Sequence, residues 1–366
     1  MFESKNTRRR FIQGGLAAST GLALASAARP VQAQPLRKVK LTLSWIPDAT
    51  SLPCHVAKAK GLWAQRGLDV DVSRGTGSSA AVQSMVNGQF DFCYASAPAG
   101  VVGSTKGMKI THIAVTSYNS TMSLAVLADS PIKTPKDLEG RSLGCVIESG
   151  DYPFLPVFAA KAGIDLKKVS IVQTDLKIRN QLLVQKKIDA MTGYTQTSAP
   201  LLISQGVGMR YFQYANYGLA LYGNSLMTRT ELYNKDPALC QAVVDGLLEG
   251  FKYMILNPQE SLDILMKEVP ESALVPTARK QYELGYGVNV VTMLQGPVRE
   301  KGLGYGDPAA FEQMIDLTMK YVAKPGDIRP TAAEMLTNEF VGKLHLAAEE
   351  WKRVDESVAS AKQYIL

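Results

Sequence analysis

The sequence is short of the residues on which catalysis and metal binding usually rest. It holds three histidines in 366 residues. His55 is placed at a helix start, His112 in an apolar strand and His345 in a tail helix, and each is read as structural. None stands beside a nucleophile in a G-x-S-x-G turn, and no P-loop, H-E-x-x-H or EF-hand loop occurs. These absences argue against the corresponding hydrolases, nucleotide triphosphatases, zinc proteases and calcium sensors. The four cysteines, Cys54, Cys93, Cys145 and Cys240, form no C-x-x-C. No histidine lies at zinc-finger spacing from any pair, so no metal is expected. Cys93 and Cys145 sit in apolar strand-like runs and read as small buried hydrophobes. A disulfide stays open, because spacing does not specify pairing. No stretch of about 18 strongly apolar residues is present, so no spanning helix is expected.

Charge of one sign is also scarce once its location is considered. The net charge is +7. The first 33 residues carry Lys5, Arg8, Arg9, Arg10 and Arg29 against Glu3, which leaves +3 for the rest. That balance demands no nucleic-acid partner. The same segment reads as an export signal. Thr7-Arg8-Arg9-Arg10-Phe11-Ile12 precedes a small, mildly apolar stretch over residues 14–28. Val31-Gln32-Ala33 fits a small-x-small cleavage site. The arginine pair is similar to twin-arginine signals, so the expected location is the periplasm.

What the chain does have is alternation of strand and helix signals. Residues 39–45 alternate in polarity and predict a strand; 54–65 predict a helix and 68–72 a second strand. The small-residue loop Gly75-Thr76-Gly77-Ser78-Ser79 leads into a helix over 80–86. Strands follow at 90–94 and 110–116, with a short helix between them. The β-α-β order argues for a largely parallel sheet flanked by helices. A second alternation predicts strands at 143–147, 169–172 and 188–192, with helices at 154–162 and 178–186. Residues 123–128 read as extended, and 224–228 read as a return segment pairing near them. From 236 onward the pattern is mostly helical, including the tail from 331. The expected divisions are a signal over 1–33, a first lobe over 38–128 and a second over 129–223. A largely helical return to the first lobe over 224–330 and a helical tail over 331–366 complete them.

In open parallel sheets, ligands bind beyond the C-terminal strand ends. The candidate cleft residues are therefore Trp45, Asp48 and Ser51 after the first strand, and Gly77, Ser78 and Ser79 after the second. Ser96, Ala97 and Pro98 follow the third. From the second lobe come Glu148, Ser149, Gly150, Asp151, Tyr152 and Tyr194, with Tyr217 as a further aromatic candidate. Trp45 offers a stacking face. The Gly75–Ser79 loop offers N–H groups for a carboxylate or sulfonate, or is capped by its own serines. Gly75-x-Gly77-x-x-Ala80 also fits a relaxed dinucleotide fingerprint, but an exported protein rarely meets NAD.

The opening Ser44-Trp45-Ile46-Pro47-Asp48, then Val56-Ala57-Lys58-Ala59-Lys60-Gly61-Leu62-Trp63 and Gly67-Leu68-Asp69-Val70, resembles the nitrate/sulfonate/taurine and thiamine-pyrimidine group of solute-binding proteins. Gly88-Gln89-Phe90-Asp91-Phe92 and residues 130–140 and 217–223 extend the resemblance. It implies a two-lobed α/β type II periplasmic-binding fold, with a mostly parallel sheet in each lobe. It implies a monomer that closes on a small aromatic carboxylate, sulfonate or pyrimidine-like solute and delivers it to an ABC permease driven by a cytoplasmic ATPase, with no cofactor. The related pyrimidine synthases use pyridoxal phosphate and a histidine. Here residues 95–99 hold no histidine and 219–223 no cysteine, so the resemblance implies a binder. A synthase-like enzyme and a ligand-presenting sensor are the alternatives.

Overall fold

The computed structural model describes residues 35–359 apart from 176, 271–273, 275 and 358. The signal segment and the cleavage site after Ala33 lie outside the described residues. Among the described residues ten strands make two five-stranded sheets with matching plans. The first contains β1 (Arg37–Leu43), β2 (Leu68–Ser73), β3 (Phe92–Ser96), β4 (Ile110–Val115) and β10 (Asn224–Arg229), in the order β2-β1-β3-β10-β4. The second contains β5 (Met122–Leu127), β6 (Ser142–Cys145), β7 (Ser170–Gln173), β8 (Ala190–Tyr194) and β9 (Met209–Gln213), in the order β7-β6-β8-β5-β9. In each sheet one strand runs against the other four: β10 is antiparallel to β3 and β4, and β5 to β8 and β9.

That plan corrects two expectations: β5 belongs to the second sheet, so the first lobe's opening part ends before 122 and not at 128, and the return segment pairs elsewhere. Residues 224–229 do not pair with 124–128; they return to the first sheet between β3 and β4, with Leu226 opposite Tyr94 and Ala114. Alternation alone marks both segments as extended but carries no information on partners. The chain therefore crosses between lobes twice, over residues 116–121 and 214–223. The crossings lie side by side: Gly223 N–H donates to the Ser117 carbonyl at 2.8 Å and Ser120 N–H to the Leu221 carbonyl at 2.8 Å. A Cβ at Gly223 would fall 2.3 Å from Ser117 Oγ, which is why the smallest residue stands at this junction.

Local sequence explains the elements. In β1 the buried Val39, Leu41 and Leu43 alternate with exposed Lys38 and Lys40. The central strands β3, β4 and β10 are almost wholly buried, as expected of strands covered on both faces. Helix α1 (Leu52–Ala59) starts with Pro53 in its first turn and is followed by Gly61 at φ 67°. The helices α2 (Ser78–Val86) and α3 (Ala97–Thr105) complete the first lobe's crossovers. In the second lobe these are α4 (Leu155–Ala162), α5 (Arg179–Val184) and α6 (Thr195–Ser204). After the short α7 (Thr230–Lys235), Asp236 caps the 20-residue α8 (Pro237–Leu256), accepting from Leu239 N–H. The helices α9 (Pro258–Glu268) and α10 (Ala278–Met293) follow.

The first core joins β1, α1 and α8 around Trp63, whose Nε1 donates to the Val243 carbonyl at 3.0 Å. Gly246 admits the indole, since a Cβ there would lie 2.1 Å from the ring. The second core centres on Phe158 and Tyr214, stacked at 4.2 Å. Helix α10 carries Gly285 against Ala49 of the first lobe and Pro200 of the second. The chain after 331 is less helical than expected. Residues 336–347 are irregular because their polar groups pair elsewhere: Asn338 exchanges two 2.8 Å hydrogen bonds with the Gly306 backbone. Leu336 bridges to His112. His345 accordingly lies outside any helix. Among the described residues no helix is long and apolar enough to cross a membrane, and no group of His, Cys, Asp and Glu is placed to hold a metal ion. All four cysteines are free and buried.

Candidate functional site

The strand ends of the two sheets meet at a pocket of about 440 Å³, counting its mouth. Ser44, Trp45, Thr50, Ser78 and Asn224 line it from the first lobe; Ser149, Arg179, Tyr194, Gln196 and Thr197 line it from the second. Of the sequence candidates, Trp45, Ser78, Ser149 and Tyr194 are thus brought together at one wall or another. Asp48 and Ser51 stand just behind. They form a capping box around the turn after β1, with Asp48 Oδ1 accepting from Thr50 N–H at 2.8 Å and Thr50 Oγ1 at 2.6 Å. Asp48 Oδ2 is buried and, among the described residues, has no hydrogen-bond partner within 3.5 Å. Burial pushes this carboxyl above its ordinary range, against the pull of its Thr50 bonds.

The glycine loop does something other than offer free N–H groups. Gly75 N–H donates to the Trp45 carbonyl at 3.0 Å and Gly77 N–H to the Ser44 carbonyl at 2.8 Å. Ser79 N–H donates across the cleft to the Glu148 carbonyl at 3.2 Å. Gly77 has φ 143°, and a Cβ on it would fall 2.2 Å from that same carbonyl. Gly150 repeats the arrangement from the other side, its missing Cβ leaving room for Tyr194 Oη and Ser78 Cβ. Gly77, Ser79, Glu148 and Gly150 therefore hold the lobes against each other. Ser78 Oγ accepts from Ser96 N–H at 3.3 Å, Ala97 N–H donates to the Gly223 carbonyl, and Pro98 opens α3. Tyr152 and Tyr217 pack instead with the second core, Tyr217 edge-on to Phe158 at 5.1 Å.

Arg179 was not legible as a site residue: it reads as one more polar position in the helix expected over 178–186. In the fold it is buried, its guanidinium carbon 5.9 Å from the Trp45 ring centre. Its Nε and Nη2 donate to Asn180 Oδ1 at 3.4 and 3.3 Å. Glycine at 193 makes room for it, since a Cβ there would lie 2.9 Å from Nη1. Asp151 is buried nearby, one oxygen bonded by Ser149 Oγ and the other without a partner. Burial pushes the guanidinium below its ordinary value, and the Asp151 charge acts in the opposite direction. Gln196 and Thr197 enter through α6, which the sequence pattern also missed. Burial drives the Tyr194 hydroxyl well above its ordinary range, and Cys145, close behind, is pushed up to about 12. Both therefore stay protonated at neutral pH. Among the described residues no His, Cys or Lys lines the pocket.

The family model described as NMT1/THI5 like matches residues 48–261. The chain belongs to this NMT1/THI5-like family. The formylaminopyrimidine-binding protein of Halalkalibacterium halodurans is 25% identical over 239 residues, 65% of this chain and 72% of the relative. The riboflavin-binding protein RibY of Chloroflexus aurantiacus is 23% identical, over 88% of this chain and 92% of its own. A Legionella pneumophila 4-amino-5-hydroxymethyl-2-methylpyrimidine phosphate synthase is 21% identical over 64% and 74%. Among solved structures, the alkanesulfonate-binding protein SsuA of Xanthomonas axonopodis pv. citri superposes with a TM-score of 0.63 at 14% identity, covering 83% of this chain and 99% of that one. The periplasmic nitrate-binding protein NrtA of Synechocystis PCC 6803 gives 0.61 at 13% identity, over 90% and 91%. The fold is thus that of periplasmic solute-binding proteins.

Proposed function

We propose that this NMT1/THI5-like protein is an exported solute-binding protein. It captures a small planar organic molecule between its lobes and hands it unchanged to an ABC permease with a cytoplasmic ATPase. The carrying observation is the pocket itself. It lies between two lobes joined by two adjacent crossings, an arrangement that supports hinge closure. Its lining combines an aromatic face with hydroxyls, amides and one guanidinium, the groups that fix a bound molecule's orientation. Trp45 stacks on the solute, Ser78, Ser149 and Tyr194 address its polar edge, and the Gly77–Ser79 and Glu148–Gly150 loops close over it. Export by the twin-arginine route and a monomeric, periplasmic, cofactor-free protein complete this reading.

The test is calorimetry and thermal shift with aromatic carboxylates, sulfonates and pyrimidines, followed by mass spectrometry of the recovered compound. A saturable ligand recovered unaltered supports the reading; progressive conversion of that ligand to product sinks it. The synthase relative gives a second reading, a pyridoxal-phosphate enzyme. It requires that the protein absorb as a pyridoxal-phosphate adduct and consume a histidine of its own, although none lines the pocket.

A further inference from the structure

We infer that Arg179 is the specificity-determining residue of the pocket, and that it selects a planar ring bearing a carboxylate over a neutral or cationic one. The inference rests on the solute-binding reading and narrows its ligand class. Arg179 is the one formally charged residue among those lining the pocket. It is 3% exposed, so its charge is kept out of water by the fold. Burying a guanidinium without a close counter-charge is unfavourable. Even so, no carboxylate comes within 4.0 Å of its nitrogens among the described residues. Nε and Nη2 share a single amide oxygen of Asn180 at long distances. Nη1 has no acceptor among the described residues.

The two nearby carboxylates are not placed to serve. Asp48 is occupied at the first-lobe turn by Thr50. Asp151 accepts from Ser149 on one oxygen, and its other oxygen, though unpartnered among the described residues, stands more than 4.0 Å from the guanidinium nitrogens, so it stabilises the charge only through space. A ligand carboxylate would complete the donor set. The planar fork matches it bidentately, a geometry that a neutral ring edge does not offer. Trp45, under the same guanidinium, sets the plane in which an attached ring would lie. The residue thus links the two features of the ligand: a ring for the first lobe and an anionic group for the second.

The test uses acid–amide pairs of equal shape, benzoate with benzamide and nicotinate with nicotinamide. They are titrated by calorimetry into the mature protein and into Arg179→Gln and Arg179→Lys. Circular dichroism and the melting midpoint check that each variant folds. The expected result is that the acid binds at least about tenfold more tightly than its amide. Arg179→Gln should then weaken the acid by about 30-fold or more and abolish the acid–amide gap. Arg179→Lys, which keeps the charge but not the fork, should fall between. Equal binding of acid and amide, or an unchanged gap in folded Arg179→Gln, overturns the inference and leaves solute binding intact. If no probe binds, the compounds released from the purified protein on denaturation decide: an anionic ring supports the inference, and a neutral or cationic one overturns it. Conversion of a bound probe to product would instead sink the solute-binding reading.

Discussion

The two rims of the cleft follow one topological plan and differ in chemistry. The first lobe contributes an indole and neutral polar groups, held by a tight backbone network from β1 to α2. The second contributes the guanidinium, carried on a short helix, with a carboxylate behind it. If the proposed reading holds, a solute stacks on the first lobe before it meets the cation and engages Arg179 only as the lobes approach, so that recognition by shape and recognition by charge are separated in space and joined by closure. The same asymmetry extends to titratable groups in the interiors. His55 on α1 and His112 on β4 are both in the first lobe, and the second sheet's span, 122–213, has no histidine.

The largest way to sharpen that contrast is acid. Burial lowers His55 to about 4, assisted by Lys58, and lowers His112 to about 3. Among the described residues neither His55 ring nitrogen has a hydrogen-bond partner, and His112 Nδ1 pairs only with Ser225 Oγ at 2.8 Å. Above pH 6.5 both rings are neutral whether the chain is folded or not, so they contribute no pH dependence. Below it the unfolded chain binds protons that the folded chain refuses. Stability therefore falls as pH drops from about 6.5 toward about 4 for His55 and about 3 for His112. Each ring contributes about 1.4 kcal/mol per pH unit within its window, several kcal/mol for the pair. Denaturant unfolding from pH 8 to 4 measures this, and His55→Leu should flatten the slope. Hydrogen exchange at pH 5 should rise first in β1–β4 peptides. Equal onset in β6–β8, or an unaltered slope in the variant, counts against the account.

The second prediction concerns closure. Gly75 and Gly77 stand two residues apart, yet they meet different lobes. A Cβ at 75 would strike the Leu43 carbonyl at 2.0 Å within the first lobe; one at 77 would strike the Glu148 carbonyl at 2.2 Å across the cleft. Gly75→Ala should therefore lower the melting temperature. Gly77→Ala is strained in either state by the φ of 143°, so it should also lower the melting temperature, but its clash with Glu148 arises only on closure and should lower affinity by about 100-fold, as expected for a differential of about 2–3 kcal/mol between the two states. Solution scattering with saturating ligand should show Gly77→Ala more expanded than the wild type. Compaction to the wild-type profile would dismiss Glu148 as the obstacle.

How much of this was readable beforehand depends on whether a signal is local. β1, β2 and α8 follow from alternation, helical spacing and caps, because one buried face writes its period into the sequence, and β4 follows from its short apolar run. Trp45 at a strand end is a local signal as well, whereas the capping box that Asp48 and Ser51 form was not read from the loop. β9 escaped because Met209-Arg210-Tyr211-Phe212-Gln213 is half-buried on both faces and shows no period. α6 escaped because Pro200 sits inside it. The antiparallel return of β10 is a matter of pairing, which one strand cannot declare. Arg179 is the strongest case. Its significance comes from Gly193, Trp45 and Asp151, scattered over 149 residues of sequence, and it becomes visible only when the fold gathers them.

The smallest expected effect tests the neutral rim. Trp45 lies partly exposed at the mouth of the pocket, and its ring is not part of either large apolar core. Trp45→Ala should therefore leave the fold's melting midpoint nearly unchanged while removing one aromatic contact with the solute. Such a contact is worth about 1 kcal/mol, so the expected loss is about fivefold in affinity. Trp45→Phe should recover most of it, because a smaller ring still presents a stacking face. The acid–amide ratio supplies the sharper readout. If stacking and charge recognition sit on separate lobes, Trp45→Ala should weaken both members of a pair alike and leave their ratio intact. A ratio that collapses along with affinity would mean that the indole positions the guanidinium, and that the division between the rims is incomplete.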